Sequence, residues 1–351
     1  MLIRRTYSNN GNSGKYQTCF GDGGFRISSD CGKTWEKIDL NPSVSSDYYD
    51  LAISLDGKCQ FFSATNATVS SDYGNTWRND YYLGGTYGGA VISSDGKYMA
   101  TFVGRILYNS SDYGNTWDTY IFTSQPPYRD CLGMSADGRY MVASLYIGSI
   151  HVSSDYGKTW KEIADTSNYR SYANVRISKD GKYMSACIGL RGVLVSSDYG
   201  NTWNNTLSGG KGWMAFAMSG DGKYMVAKSA PSYGVIMTSS DYGNTWKEVA
   251  GSWFCTSMEM SSNGKYILGC YAATYAGKVH LSSDYGNTWR ELLLDNITSF
   301  QDCAVSADGK YMTIVLDRNN AFCHVSSDYG VTWQKSSFEE PIGVYRIAMN
   351  K

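Results

Sequence analysis

The sequence predicts an all-β protein in which eight four-stranded units close into one ring. Three observations predict it: an eight-residue phrase that returns seven times, a short turn motif that precedes it, and brief apolar runs between the two. The phrase first reads Ser-Ser-Asp-Cys-Gly-Lys-Thr-Trp, at residues 28–35, and later mostly Ser-Ser-Asp-Tyr-Gly-Asn-Thr-Trp. Its aspartates follow one another at intervals of 40–44 residues, at Asp30, Asp72, Asp112, Asp155, Asp198, Asp241, Asp284 and Asp328.

The repeat runs from end to end of the 351 residues, which favours a single domain over residues 1–351. The composition is 42% hydrophobic and 15% aromatic, with 38 glycines and only 5 prolines, as suits aromatic strands joined by glycine turns. The repeats are expected near residues 1–39, 46–80, 85–121, 128–164, 171–207, 212–250, 253–294 and 299–337, with a closing strand at 342–350.

The unit at 128–164 shows how each repeat is built. Apolar runs at 129–135, 140–146 and 149–153 are followed by the phrase and by a last run at 160–163. Asp137-Gly138 separates the first two runs, and Asp-Gly or Asn-Gly recurs there in most repeats. This pattern predicts four antiparallel strands, with a two-residue hairpin turn between the first and second.

Such units arranged around an axis form a β-propeller, and eight phrases predict eight blades. Seven blades remain the alternative, if one phrase lies outside the ring. The tail at 344–349 resembles an innermost strand and is expected to complete the first blade, so that strands from both termini close the ring and remove its exposed edge. Alternatively, residues 2–7 supply that strand and the tail is an accessory.

In the phrase, the carboxylate can accept hydrogen bonds from turn amides, and the glycine takes a conformation closed to other residues. Eight of the ten tryptophans end the phrase and are expected to pack between blades. This pattern resembles the Asp-box, or BNR, repeat family of propellers. The resemblance implies that the boxes are structural and lie away from the binding face. One carboxylate per turn is also far from the six to eight oxygens that calcium requires.

Sialidases, photosystem II assembly factors and sortilin-type receptors contain similar propellers. The residues 25–28, Phe-Arg-Ile-Ser, look like the arginine motif of sialidases, but they run directly into the first box. Arg26 is therefore expected on a third strand and not on the innermost strand that faces a substrate. The resemblance to photosystem II assembly factors implies a binding protein.

The formal net charge of −1 gives no reason to expect nucleic acid as a partner. No stretch is apolar enough for a signal peptide or a membrane span, and the nine cysteines include no CxxC pair. We therefore expect an intracellular, soluble protein with reduced, mostly buried thiols. The sequence contains no cofactor or metal motif, so no cofactor and no metal are expected.

The candidate ligand-binding residues come from the face opposite the boxes, where the loops do not repeat. Alignment of the innermost strands on the serine before each Asp-Gly turn gives columns of aromatic and charged residues. The ligand-binding candidates from these columns and loops are Tyr48, Tyr87, Arg129, Tyr172, Arg176, Trp213, Trp253, Glu259, Phe300, Asp302 and Arg346.

Two interpretations of these residues compete. In one, the aromatic side chains fill a wide channel and the charged ones pair with each other. In the other, an aromatic rim binds a protein or a glycan, which makes the chain a non-enzymatic binding or scaffold protein. The alternative function is a carbohydrate-active protein, either lectin-like or a sialidase-like hydrolase. A hydrolase would use Glu259 or Asp50, together with Tyr345 and the arginines 129, 176 and 346.

Overall fold

A computed structural model describes most of the chain, and its secondary structure there is entirely strand and turn. The described residues are 13–21, 24–38, 50–84, 89–123, 132–145, 149–164, 173–188, 192–208, 210–229, 234–249, 253, 255, 257–271, 278–294, 300–316, 322–338 and 344–350.

In the described residues, thirty-two strands form eight four-stranded antiparallel sheets. The strands in the first half of the chain are β1 (Gln17–Gly21), β2 (Gly24–Ser28), β3 (Glu36–Ile38), β4 (Asp50–Ile53), β5 (Gln60–Ser63), β6 (Asn66–Ser70), β7 (Arg78–Tyr82), β8 (Ala90–Ile92), β9 (Met99–Val103), β10 (Ile106–Ser110), β11 (Asp118–Ile121), β12 (Leu132–Met134), β13 (Met141–Ser144), β14 (Ile150–Ser153) and β15 (Lys161–Ala164).

The remaining strands continue the same pattern to the end of the chain. They are β16 (Ala173–Ile177), β17 (Met184–Ile188), β18 (Gly192–Ser196), β19 (Asn204–Ser208), β20 (Trp213–Met218), β21 (Met225–Ser229), β22 (Ile236–Ser239), β23 (Lys247–Val249), β24 (Ser257–Met260), β25 (Ile267–Tyr271), β26 (Lys278–Ser282), β27 (Arg290–Leu292), β28 (Phe300–Val305), β29 (Met312–Leu316), β30 (Phe322–Ser326), β31 (Gln334–Ser337) and β32 (Val344–Met349).

The eight sheets are the blades of a β-propeller, as predicted. Blades 2 to 8 are consecutive meanders, from β4–β7 to β28–β31, and the innermost strands contact one another in a closed ring. Blade 1 has the order β3-β2-β1-β32, so its innermost strand comes from the C-terminal tail. The prediction that the tail completes the first blade is confirmed, whereas the alternative at residues 2–7 lies outside the described residues.

The hydrophobic core lies between the blades, because the inner strands of each blade are covered on both faces by the neighbouring blades. Eight apolar clusters occupy the eight interfaces between neighbouring blades. The box tryptophans pack into these interfaces, as Trp35 does against Phe338 of blade 8 with ring centroids 5.5 Å apart. Outermost strands such as β3 and β27 are mainly exposed, because they face solvent on the outer wall.

A ring of hydrogen bonds joins the blades on the face that carries the turns. The residue after each turn serine donates its backbone N–H to the equivalent carbonyl of the next blade. Six such bonds, each 2.7–2.9 Å long, run in sequence through Leu55, Ser94, Ala136, Lys179, Gly220, Ser262 and Ala307. They connect blades 2 to 8 close to the axis.

Blade 1 completes this ring with side chains. Ala307 N–H donates to Ser13 Oγ at 2.7 Å, and Asn350 Nδ2 donates to Leu55 O at 3.1 Å. Asn350 also accepts the Tyr16 N–H through Oδ1 at 2.8 Å and donates its own N–H to Tyr16 O at 3.0 Å. One asparagine therefore connects the C-terminal strand to both neighbouring turns.

The predicted two-residue Asp-Gly hairpin is wrong. In blade 2 the loop holds four residues, 55–58, and Gly57 N–H donates to Ser54 O at 3.0 Å. The glycine has a left-handed φ of 80°, but Asp56 does not take a positive φ. The aspartate instead accepts hydrogen bonds at Oδ1 from Ser54 Oγ at 2.7 Å and from Lys58 N at 2.9 Å. Four-residue loops of this kind are commonly built around a type I turn.

Asn350→Ala is expected to lower the free energy of unfolding by about 2 kcal/mol, because it leaves the partly buried Tyr16 amide and Leu55 carbonyl without their partners. Urea unfolding at neutral pH measures the effect. Asn201→Ala is the matched control: its side-chain nitrogen is exposed and bonds only to Asp198 O of its own box. That control should change the free energy by less than about 0.5 kcal/mol. Equal effects of the two substitutions would contradict the closing role of Asn350.

Candidate functional site: the loop face opposite the Asp boxes

Each box is a self-contained hydrogen-bonded loop. In the box of blade 5, Ser196 Oγ donates to Asp198 Oδ1 at 2.8 Å, and Thr202 donates its N–H to Oδ1 at 2.9 Å and its hydroxyl to Oδ2 at 2.6 Å. The same three bonds form in all eight boxes. Both carboxylate oxygens are thus used within the turn.

These hydrogen bonds also set the charge state of the box aspartates. For Asp198, partial burial by itself raises the pKa, but the bonds from Thr202 and Ser196 outweigh it and hold the pKa below its ordinary value. The pKa is lowered in the same way in the other seven boxes. The aspartates are therefore ionised structural acceptors.

The box face also contains a ring of aromatic contacts that the sequence did not predict. The residue after each box aspartate takes a left-handed φ of 62–68°, although it is tyrosine seven times and cysteine once. In six boxes this tyrosine lies against the tyrosine after the turn of the preceding blade, as Tyr242 does on Tyr183 with centroids 4.3 Å apart. The backbone strain is offset by a contact between blades.

The opposite end of the innermost strands is shaped by β-bulges. In β20 the register passes from Trp213 to Ala215, and in β28 from Phe300 to Asp302, so Met214 and Gln301 are extra residues. A similar irregularity lies where β1 pairs with β32. Met214 is 43% exposed, although it belongs to an innermost strand. Bulges commonly redirect a side chain beside a functional site.

The bulges also explain the positions of two predicted ligand-binding residues. Regular alternation would place Trp213 on the same sheet face as Ala215, but the extra residue turns it towards blade 5, where it is buried in the apolar cluster. Phe300 is turned towards blade 7 in the same way and is 1% exposed. Both aromatic rings therefore pack between blades, and neither forms the exposed rim that the alignment of columns predicts.

Two aspartates of the innermost strands join neighbouring blades. Asp50 accepts the N–H of Ala90 in blade 3 at 2.9 Å, and Asp302 accepts the N–H of Ile347 in blade 1 at 3.0 Å. Each also accepts the amide of the residue that follows it. Both carboxylates are buried and bond to backbone amides, whereas the sequence proposed Asp302 for ligand contact and Asp50 for catalysis. Backbone donors of this kind stabilise an ionised carboxylate.

The other described charged candidates are also buried near the axis. Arg176 Nη1 donates to Asn174 Oδ1 at 2.5 Å and to Val175 O at 3.0 Å. Glu259 and Arg346 are 5% and 9% exposed, respectively, and each has an interaction partner. They lie on the innermost strands of blades 7 and 1, around the axis of the ring.

Trp253 lies between blades 6 and 7, where its ring stacks on His280 with centroids 4.0 Å apart and contacts Trp289 at 5.0 Å. Arg26 lies on β2, which is the third strand of blade 1, as predicted, and its side chain is buried. The remaining ligand-binding candidates lie outside the described residues, and their role stays a prediction: Tyr48, Tyr87, Arg129 and Tyr172.

The histidines give no common site. His151, His280 and His324 lie on the third strands of blades 4, 7 and 8. Burial lowers the pKa of His151 to about 4, and burial does the same for His280 despite the opposing effect of Glu291. Within the described residues, no group of three or more His, Cys, Asp or Glu side chains could hold a metal ion.

The described cysteines form no disulfide bond with one another. Eight of the nine are described, all are free thiols, and all except Cys31 are buried. No helix among the described residues is long and apolar enough to cross a membrane.

The fold and the boxes together define an eight-bladed Asp-box β-propeller. Residues 150–163 match the family model of the BNR-Asp box repeat, in agreement with the resemblance seen in the sequence. A comparison with curated proteins finds no significant match.

Solved propellers share the fold at low sequence identity. A structure of YCF48 bound to D1 peptide is 14% identical, with a TM-score of 0.52 over 88% of this chain and 96% of that one. YCF48 from Cyanidioschyzon merolae is 12% identical, with a TM-score of 0.58 over 87% of this chain and 98% of that one. The Niastella koreensis GH74 enzyme is 13% identical, with a TM-score of 0.43 over 94% of this chain and 62% of that one. For the two YCF48 structures, the low identities limit the likeness to the fold.

Thr202→Val should raise the pKa of Asp198 towards its ordinary value, because it removes the hydroxyl donor to Oδ2. The effect can be read by following the Asp198 carboxyl carbon by NMR during an acid titration. Stability that comes from a lowered pKa is present above the unfolded-state pKa and is lost as the pH falls through the folded-state value. The variant should therefore be less stable than the wild type at neutral pH, and the difference should shrink below about pH 4.

Thr119→Val, on the exposed outer strand β11, is the control for this substitution. It should leave the Asp198 titration unchanged. An unshifted Asp198 pKa in Thr202→Val would show that the box does not hold its carboxylate in the way described.

Proposed function

We propose that this chain is a non-enzymatic binding protein that takes a protein partner at the loop face, the face opposite the Asp boxes. The observation that carries the proposal is a contrast among the side chains of the innermost strands: some form hydrogen bonds within the protein, and one is exposed to solvent. The carboxylates of Asp50 and Asp302 bond to backbone amides, while the bulge in β20 leaves Met214 exposed. A flexible apolar side chain of this kind suits contact with a protein surface.

The charged residues support binding over catalysis. A sialidase-like hydrolase needs a carboxylate, a tyrosine and several arginines grouped around one open pocket. Here the described candidates are nearly fully buried, so their charged groups are not presented to an open pocket. Buried groups that bond within the fold contribute to its stability and have little remaining capacity for a substrate.

The neighbours in structure support a protein partner more than a glycan. One of them, YCF48, is described in complex with a peptide, D1, and shares with this chain a propeller fold. The two tryptophans outside the boxes are the side chains that would stack on a sugar. Trp213 is 4% exposed and Trp253 stacks on a histidine, so these rings are engaged inside the protein. We infer that peptide segments, not sugars, are the partners.

A paired screen tests this proposal. The purified protein is incubated with a peptide array and a glycan array, and the strongest ligand is titrated by fluorescence anisotropy. We expect peptide ligands and no glycan ligands, with Met214→Asp weakening the best ligand about tenfold or more, because a charge would be buried at the contact. Ile121→Asp, which changes an equally apolar and exposed residue on the outer wall, should leave this affinity unchanged.

Two results would contradict the proposal. Glycan binding without peptide binding would favour the lectin-like alternative. Turnover of a fluorogenic sialoside by the purified protein would show that it is an enzyme.

A further inference from the structure

A groove runs along the outer wall between blades 7 and 8, away from the channel. It is open to solvent and has a volume of about 630 Å³. Its lining includes Arg290, Leu293 and Leu294 from the end of blade 7, and Val331, Trp333 and Lys335 from blade 8. Leu293 is 92% exposed and Val331 is 71% exposed, so the groove presents aliphatic side chains to solvent.

Val331 departs from the pattern of its own repeat. The same box position holds a polar residue in the other seven blades, namely Lys33, Asn75, Asn115, Lys158, Asn201, Asn244 and Asn287. The loop itself does not require valine, because Val331 N–H donates to Asp328 O at 3.3 Å, as Asn115 N–H does to Asp112 O. The apolar side chain is therefore not needed for the turn and is available for a contact outside it.

Because residue 331 is valine and not asparagine, the neighbouring Arg290 has one hydrogen-bond acceptor fewer. At the equivalent place between blades 2 and 3, Arg78 donates to Asn115 Oδ1 and, at 2.9 Å, to Tyr113 O. Arg290 occupies the position of Arg78, directly after the box tryptophan of its blade. It donates to Gly330 O, but Val331 offers no side-chain acceptor. The guanidinium has five N–H donors, so most of them remain for another acceptor.

The charges along the groove have one sign. Arg290 and Lys335 line it, and Lys335 Nζ lies 4.9 Å from the Phe322 ring centroid. No carboxylate is among the described lining residues. The nearest acid in the sequence of blade 7, Glu291, is held instead by Lys278 at 2.9 Å. The groove is therefore complementary to a ligand that is both anionic and aliphatic.

Within the described part of the chain, Arg290 has N–H donors without an acceptor, and the exposed side chains of Leu293 and Val331 line the same groove. We therefore propose that this groove binds an acidic peptide segment with aliphatic side chains. A carboxylate of the peptide accepts a charged hydrogen bond from the Arg290 guanidinium, and its aliphatic side chains cover Leu293 and Val331. Lys335 adds attraction for a second carboxylate. The groove is separate from the loop face, so the chain has a second surface for a protein partner.

The test uses a fluorescein-labelled peptide of alternating aspartate and leucine, titrated with the full-length protein by fluorescence anisotropy. Two comparison peptides replace leucine by serine or aspartate by lysine. We expect saturable binding of the Asp-Leu peptide, and affinities about tenfold or more lower for both comparison peptides. Equal affinity for the serine peptide, or no binding of the Asp-Leu peptide, would overturn the proposal.

Val331→Asn is the decisive variant, because it restores the residue type of five other boxes and gives Arg290 a local acceptor. It should weaken the Asp-Leu peptide about tenfold or more without lowering the melting temperature. Arg290→Gln should weaken it to a similar extent. Asn244→Val, at the same box position in blade 6, is the matched control and should bind as the wild type does. Unchanged affinity in Val331→Asn would overturn the proposal.

The outcome is independent of the proposed loop-face function. Met214→Asp should leave binding of the Asp-Leu peptide unchanged, since Met214 lies on an innermost strand and the groove on the outer wall. A loss of both binding activities in one single variant whose melting temperature is unchanged would show that the two ligands share one surface.

Discussion

The closure of the ring is the constraint on which the rest of the structure depends. A single four-stranded blade cannot bury its two faces, so each blade obtains its core only from its neighbours. The eight apolar clusters all lie between blades, and blade 1 is shared between the two ends of the chain. The single residue Asn350 therefore contributes strongly to closure, because its side chain forms hydrogen bonds to Tyr16 of its own blade and to Leu55 of the next blade. Without closure, two blades would each lose an interface.

The same constraint divides the repeated positions from the variable ones by role. On the box face, the contacts repeat: carboxylates bond to their own threonines in all eight boxes, tyrosines stack between blades in six, and amides join blades 2 to 8 around the axis. Repetition suits structure, because each interface has the same requirements. Binding surfaces need the opposite, side chains that differ between blades. Met214 at its bulge and Val331 in its box are both departures from the repeat, and both are exposed.

The architecture could be predicted from the sequence, because one box recurs in every repeat, but the recurring Asp-Gly turn was predicted with the wrong loop length. The eight blades followed from the spacing of the boxes, and closure by the C-terminal strand followed from the likeness of residues 344–349 to an innermost strand. The bulges at Met214 and Gln301 could not be predicted. A bulge is defined by the pairing register with the neighbouring strand, and the sequence alone does not give that register. In each strand, the extra residue places the preceding aromatic side chain, Trp213 or Phe300, on the opposite face of the sheet. The acceptor role of Asp302 depends on an amide 45 residues away, which only the closed ring brings near.

Native-state hydrogen exchange of the ring amides tests the account most directly. The N–H groups of Ser94, Lys179 and Ser262 each bond to the next blade near the axis. If closure couples the blades into one unit, these amides should exchange only through global unfolding, with one free energy that matches urea denaturation. A range of values from blade to blade, lowest beside blade 1, would show that the ring opens locally and would contradict the account.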